Sequence, residues 1–186
     1  MKSKYSLLIF ILMVFVISCS PTMKNQTTKF EGNLKKIENL IRKYPSFKTL
    51  LTELYMDATE IFEESKKANS SRDKVFKVVE ANSLIINNSF FKALYAYELF
   101  VRRVENKRNV LRIRESLKYR NNIQKAMAIT RDKLYEASDL IENANPHNDR
   151  EAMNKIDKAC EILLYAESVL EDTKKMLDEE EDESTD

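Results

Sequence analysis

The chain has 186 residues and almost balanced charge, with 31 basic and 30 acidic side chains. Hydrophobic residues make up 43% of it, which is enough to bury a core and excludes a fully disordered chain. One glycine and three prolines exclude a fold built on many tight turns, because hairpins and other turns draw heavily on both residues. The composition therefore predicts an all-α protein.

The first residues of the chain are arranged like a secretory signal. Lys2 and Lys4 precede an unbroken apolar run over residues 7–17, and this order of basic and apolar residues is found in signal peptides. The run is too short for a membrane-spanning helix, which needs about 20 apolar residues. We therefore predict a signal peptide over residues 1–18.

Four residues at the end of this segment resemble the lipobox of bacterial lipoproteins. Val16-Ile17-Ser18-Cys19 has an aliphatic residue three positions before the cysteine and a small residue directly before it, although Val16 stands where leucine is commoner. The resemblance implies cleavage before Cys19, a diacylglycerol on its sulfur and a further acyl chain, such as palmitate, on the new amino group. Several acyl chains anchor a protein firmly, whereas one chain binds only marginally. The alternative is an ordinary cleaved signal with an incidental cysteine.

Polar residues separate Cys19 from the first helical pattern. Residues 20–29 include serine, proline, asparagine, glutamine and threonine without apolar periodicity, so we predict a flexible, lipidated tether over residues 19–29. The chain from 30 to 177 has the length of one domain.

Apolar residues at steps of three and four predict about five helices in this domain. Pro45 ends the first helix, and Ser46 is the expected N-cap of the second. Ser71 or Asp73 begins the third helix, whose segment is apolar around much of its circumference, which predicts the central, most buried helix.

The remaining helix boundaries follow from asparagines and the last proline. A break between the third and fourth helices is expected near residues 106–109, with 121–122 as the other candidate. Residues 143–148 form a short connection, after which Asp149 caps the last helix, and so short a link predicts antiparallel packing. We therefore predict an antiparallel helical bundle, followed by an acidic disordered tail over residues 178–186.

Two residues are candidates for chemistry, and each has a simpler explanation. His147 is the only histidine and is expected to be an exposed loop residue rather than a zinc ligand. Cys160 falls on the apolar stripe of the last helix beside Ile156 and Leu163, where a buried thiol is usually inert. We expect no enzyme activity, no metal and no cofactor other than the covalent lipid on Cys19.

Charge is distributed unevenly along the chain. Without the two lysines of the signal and the seven acids of the tail, residues 19–177 hold 29 basic against 23 acidic side chains, a formal charge of +6. On a continuous helix, four cations of the most basic stretch fall on one face, at Arg103, Lys107, Arg114 and Lys118. This basic stripe is a candidate site for sulfated glycans, anionic lipid headgroups or an acidic protein. The helix break expected near residues 106–109 would disturb this stripe, and the simpler explanation is a solvated helix face with local charge bias.

The lipobox-like motif, the polar tether and a helical body rich in lysine, asparagine and isoleucine are similar to spirochaetal surface lipoproteins of the Borrelia type, such as the orf-D-like family. The resemblance implies a lipid-anchored protein of the outer membrane and cell surface that binds a host ligand. Together with the basic stripe, it makes a host protein or a sulfated glycan the expected partner. Nucleic acid is a poor partner for an exported, anchored protein. The alternative function is a structural or assembly lipoprotein that faces the periplasm.

Overall fold

The computed structural model of the chain describes residues 22–114 and 119–182. These residues form six α-helices and one short 3₁₀-helix, so the all-α prediction is confirmed. The α-helices are, in chain order, α1 (Met23–Lys43), α2 (Lys48–Lys67), α3 (Ser71–Asn87), α4 (Ser89–Ile113), α5 (Arg120–Glu142) and α6 (Asp149–Asp182). The 3₁₀-helix, Pro45–Phe47, joins α1 to α2. The predicted signal peptide and Cys19 lie outside the described residues.

Backbone contacts divide the described residues into two compact units. The first unit takes in the described residues up to Lys35 together with Leu54–Ile86, and the second combines Lys36–Glu53 with the described residues from Asn87 onward. Helices α1 and α2 therefore contribute one end to each unit. Helices α4, α5 and α6 belong to the second unit alone.

Aromatic stacking and a buried amide pair hold the first unit together. The rings of Phe30 and Phe62 stack with their centroids 4.5 Å apart. Asn33 Nδ2 donates to Asn82 Oδ1 at 3.1 Å, and Asn82 Nδ2 donates to the carbonyl oxygen of Gln26 at 3.0 Å. Buried amides are tolerated when they are hydrogen-bonded, so this pair ties α1 to α3 at a fixed position.

Helices α5 and α6 run antiparallel in the second unit. Lys133 Nζ lies 5.9 Å from the centroid of the Tyr165 ring, and Asn122 Nδ2 lies 3.9 Å from Met176 Sδ. The contact made by the earlier residue of α5 is with the later residue of α6, and the contact made by the later residue of α5 is with the earlier residue of α6. This is the direction that the short connection between the two helices predicts.

Apart from Glu167, the buried positions of α6 alternate between steps of four and three residues, and small and large side chains alternate with them. These positions are Ala152, Ile156, Ala159, Leu163, Ala166, Leu170, Thr173 and Leu177. Such steps keep one stripe of a helix against its neighbours, and alternating small and large side chains let facing layers interdigitate. Cys160, which the sequence places on the same stripe, is only half-buried.

The predicted third helix is in fact two helices, which raises the number from about five to six. Asn88 has an extended backbone, with φ −64° and ψ 126°, and its Oδ1 accepts a hydrogen bond from the backbone N of Phe91 at 2.9 Å. This is the geometry of an N-cap. The segment is also less buried than its apolar composition predicts, since Ile86 and Leu99 are 48% and 43% exposed.

The break between the predicted third and fourth helices lies at neither expected position. Helix α4 continues through residues 106–109 to Ile113, and α5 already begins at Arg120, before residues 121–122. Packing explains the longer helix, because Leu111 is buried to 1% exposure and a buried anchor on the last turns stabilises helix beyond its local propensity.

The ends of the folded chain are more helical than predicted. Helix α1 begins at Met23 within the predicted tether, where Thr22 Oγ1 accepts from the backbone N of Asn25 at 3.3 Å. Helix α6 runs to Asp182, into the predicted disordered tail, because Leu177 is fully buried and holds its last turns. Residues 183–186 lie outside the described part of the chain.

Helix α3 begins at Ser71, one of the two predicted starts, whereas the predicted caps Ser46 and Asp149 do not cap a helix. Ser70 Oγ accepts from the backbone N of Asp73 at 3.0 Å and caps α3. Asn148 rather than Asp149 caps α6, since its Oδ1 accepts from the backbone N of Glu151 at 3.2 Å. Ser46 lies inside the 3₁₀-helix, where its Oγ donates to a backbone carbonyl of α5.

Candidate functional site

Glu167 lies at the centre of an ion-pair network between α4 and α6. Arg103 Nη2 lies 2.7 Å from Glu167 Oε2, and Lys107 Nζ lies 2.6 Å from Glu167 Oε1. The Glu167 side chain is only 5% exposed. Burial alone would raise the pKa of its carboxyl, but the hydrogen bonds and charges of Lys107 and Arg103 outweigh burial and hold that pKa below its usual value. Glu167 therefore stays ionised and joins two cations.

The network continues toward the C-terminal ends of both helices. Lys107 also pairs with Glu171, and Arg114 Nη1 lies 2.5 Å from Asp178 Oδ1. Hydrogen-bonded partners are 64 positions apart at three successive levels, so α4 runs parallel to α6. We call this set the ion-pair ladder; it consists of Arg103, Lys107, Arg114, Glu167, Glu171 and Asp178.

The ladder gives the predicted basic stripe internal partners. The structure brings Arg103, Lys107 and Arg114 onto one face, as predicted, and Lys118 lies outside the described residues. Three cations face three acids, so the described ladder is formally neutral. A polyanion would have to displace the acids of α6 from their cations, and the stripe is a candidate anion site only in competition with them. Its observed contacts fix the register of α4 on α6.

A groove lies beside the ladder in the same pair of helices. Its volume is about 400 Å³, and its apolar lining comes from Val110, Leu111 and Leu170. Lys174 and Lys175 line it as well, together with three side chains of the ladder. Leu111 and Leu170 are buried, whereas Val110 is 50% exposed. The groove thus combines an apolar floor with a charged rim.

A second buried carboxylate, Glu98 of α4, holds the end of α1 against this helix. Lys43 Nζ lies 2.5 Å from Glu98 Oε1, Tyr44 OH donates to Oε2 at 2.8 Å, and Arg102 Nε donates to Oε1 at 2.9 Å. The Glu98 side chain is 4% exposed. Burial would raise the pKa of its carboxyl, but the hydrogen bonds from Lys43, Tyr44 and Arg102 lower it overall.

Burial keeps two tyrosines and one cysteine of the second unit neutral. Burial raises the pKa of Tyr97 to about 12 and that of Cys160 to about 11, and burial also raises the pKa of Tyr44. The Cys160 thiol is therefore protonated at neutral pH, which makes it a poor nucleophile. His147 is exposed in the connection between α5 and α6, as predicted. Among the described residues, no three His, Cys, Asp or Glu side chains are grouped to hold a metal ion.

Sequence reasoning missed the acidic half of the ladder. It assigns no role to Glu167, whose carboxylate is buried between two cations. A signal for the ladder exists in the sequence, because its acids are separated by four and seven positions, which is also the spacing of its cations. Matching charge periods on two helices are typical of helices that pack side by side.

No family model, no curated protein and no solved structure matches this chain. Within residues 22–114 and 119–182, no helix is both long enough and apolar enough to cross a membrane.

Proposed function

We propose that the chain is a lipid-anchored, non-catalytic protein of the bacterial cell envelope that displays its helical body to bind a macromolecule. The observation that carries this proposal is the motif Val16-Ile17-Ser18-Cys19 behind a basic and apolar leader. Acylation of Cys19 supplies the membrane attachment, since several acyl chains together give a firm anchor.

The ionisation of the buried groups supports binding rather than catalysis. A general acid or base at neutral pH works best with a pKa near the working pH. The pKa values of Glu98 and Glu167 are lowered by their cationic partners, and burial raises the pKa of Cys160 to about 11. These shifts favour fixed ionisation states, which suit a rigid scaffold for recognition.

A protein surface fits the face formed by α4 and α6 better than a sulfated polymer does. The ion-pair ladder is neutral and offers a polyanion no net attraction. On the same helix, Val110 and Ile113 are 50% and 87% exposed. Exposed apolar side chains rimmed by charges are typical of protein interaction sites. The partner is therefore a protein, either on a host surface or within the envelope.

The anchor is tested by detergent phase partition and labelled palmitate incorporation in a bacterial host. We expect the native chain to enter the detergent phase and carry label, and Cys19→Ala to lose both. Cys160→Ala is the matched control, because it removes the other cysteine of the chain and should keep both properties. Label and detergent partition that persist in Cys19→Ala would rule out the lipid anchor.

Surface display is tested by protease treatment of intact cells, with an antibody against α6 and a periplasmic protein as the control. Loss of the α6 signal while the control survives supports a surface-displayed binding protein. Protection of α6 until the outer envelope is opened would instead support the structural lipoprotein that faces the periplasm.

A further inference from the structure

We propose that the groove between α4 and α6 binds a single-chain alkyl carboxylate, with its alkyl chain on Val110, Leu111 and Leu170 and its carboxylate at Lys174 and Lys175. This ligand site adds a small amphiphile to the face of α4 and α6 and shares Val110 with the surface proposed for a protein partner. It does not depend on lipid attachment at Cys19.

The size of the groove suits a short amphiphile. Its volume of about 400 Å³ falls within the roughly 300–1,000 Å³ that is usual for small-molecule sites. Along α6 its lining extends from Leu170 to Asp178, a rise of about 12 Å at 1.5 Å per residue. With its carboxylate at Lys174 and Lys175, a single alkyl chain covers the roughly 6 Å of this lining that lies toward Leu170 and continues beyond it.

The floor of the groove is apolar and buried. Leu111 and Leu170 are each 1% exposed and belong to the core between the two helices. Val110 is 50% exposed, so an alkyl chain that covers it removes apolar surface from water. That burial contributes about 25 cal/mol per Å².

The rim of the groove is left with positive charge. The two acids that line it, Glu171 and Asp178, are already paired with cations of the ladder. Lys174 has no acidic partner within the described part of the chain. Lys175 lies 3.7 Å from Glu179 in a pair whose side chains are 77% and 65% exposed, and such pairs contribute little. Two lysines beside an apolar floor are complementary to a carboxylate on an alkyl chain.

The site is tested by calorimetric titration of sodium decanoate, below its micelle concentration, into the full chain carrying Cys19→Ala, so that no attached acyl chain competes. We expect the double variant Lys174→Glu/Lys175→Glu to bind about tenfold more weakly, because it replaces attraction with repulsion. Val110→Trp, which fills the groove from an exposed position, should abolish binding. Decanol, which lacks the carboxylate, should bind more weakly than decanoate.

The matched control is Lys92→Glu/Lys158→Glu, which makes the same charge change at two exposed lysines that do not line the groove. Binding that is unchanged in this control and lost in the groove variants supports the site. If both double variants lose decanoate affinity equally, the loss is due to net charge alone and the proposed site is overturned. Binding that survives Val110→Trp would place the alkyl chain elsewhere, including on residues 7–17, and would also overturn it. The proposal is also overturned if the Cys19→Ala chain does not bind decanoate. It is overturned as well if sedimentation shows a dimer in which a second copy occupies the groove.

Discussion

Glu98 and Glu167 are carboxylates that are almost fully buried in a helical core. Moving a charge out of water costs several kcal/mol unless cations and hydrogen-bond donors replace the solvent. Glu98 has three such partners, and Glu167 has two. The cations themselves remain partly exposed, with Arg103 at 55% and Lys43 at 51%. Each long cationic side chain thus covers a buried acid while its own charged end stays near water.

Because the pKa values of Glu98 and Glu167 are lowered, the free energy of unfolding depends on pH in the acidic range. Both lie below the ordinary value of 4.5 in the folded protein. A carboxyl whose pKa is lowered by folding stabilises the folded protein. This stabilisation is complete above the pKa of the unfolded chain and is lost as the pH falls through the pKa of the folded protein. We expect the free energy of unfolding to fall below about pH 4.5, and Glu98→Gln/Glu167→Gln to show a flatter acid limb. Urea denaturation at a series of pH values measures both.

Two exposed glutamates provide the control for this experiment. Glu60→Gln/Glu161→Gln removes the same number of carboxylates from solvent-facing positions of α2 and α6, and its acid limb should match that of the native chain. Identical acid limbs in all three proteins would show that the buried pairs do not carry the dependence.

Apolar periodicity located most helices, but not where they end. Pro45 and the polar connection at residues 143–148 marked real ends, because proline and polar turn residues interrupt helices through local chemistry. Asn88 ends a helix through one side-chain hydrogen bond, and the apolar residues on both sides of it conceal that break. The end of α4 depends on packing against α6, which the local sequence does not contain.

The candidate site was predicted only in its basic half for the same reason. The spacing of Arg103, Lys107 and Arg114 predicts a shared helix face, since the 3.6-residue period is a local property. Their acidic partners lie 64 positions away, and choosing them requires that α4 and α6 run parallel. The groove depends on the same long-range packing, so no local pattern indicates it.

The break at Asn88 should be measurable as the loss of one N-cap. Asn88→Ala removes the oxygen that accepts from the backbone N of Phe91, and we expect it to lower the free energy of unfolding by about 1 kcal/mol. Asn88→Asp keeps an acceptor at the same place and should stay close to the native value. Denaturation followed by circular dichroism measures both. If Asn88→Ala and Asn88→Asp are equally stable, the cap does not define this helix end.

At the scale of the molecule, the ion-pair ladder joins the basic stretch of α4 to the acidic C-terminal end of α6. The acidic C-terminal residues begin at Asp178, which pairs with Arg114 of the basic stretch. The acidic end therefore neutralises part of the basic body through a specific contact as well as adding negative charge for solubility.

Backbone contacts cluster within two units. Contacts that cluster in this way allow one region of a protein to open without the other.

A matched pair of substitutions tests whether the two units open separately. Ile85 of α3 and Ile156 of α6 are both fully buried, one in each unit. Replacing either by valine removes one methyl group and should cost about 0.5–1.5 kcal/mol. Because each loss falls on contacts inside one unit, we expect Ile85→Val to speed amide hydrogen exchange in α3 and leave the middle of α6 unchanged. Ile156→Val should do the reverse. If either variant speeds exchange equally in both helices, the chain opens as a single cooperative unit, since the exchange rate of each amide follows the free energy of the opening that exposes it.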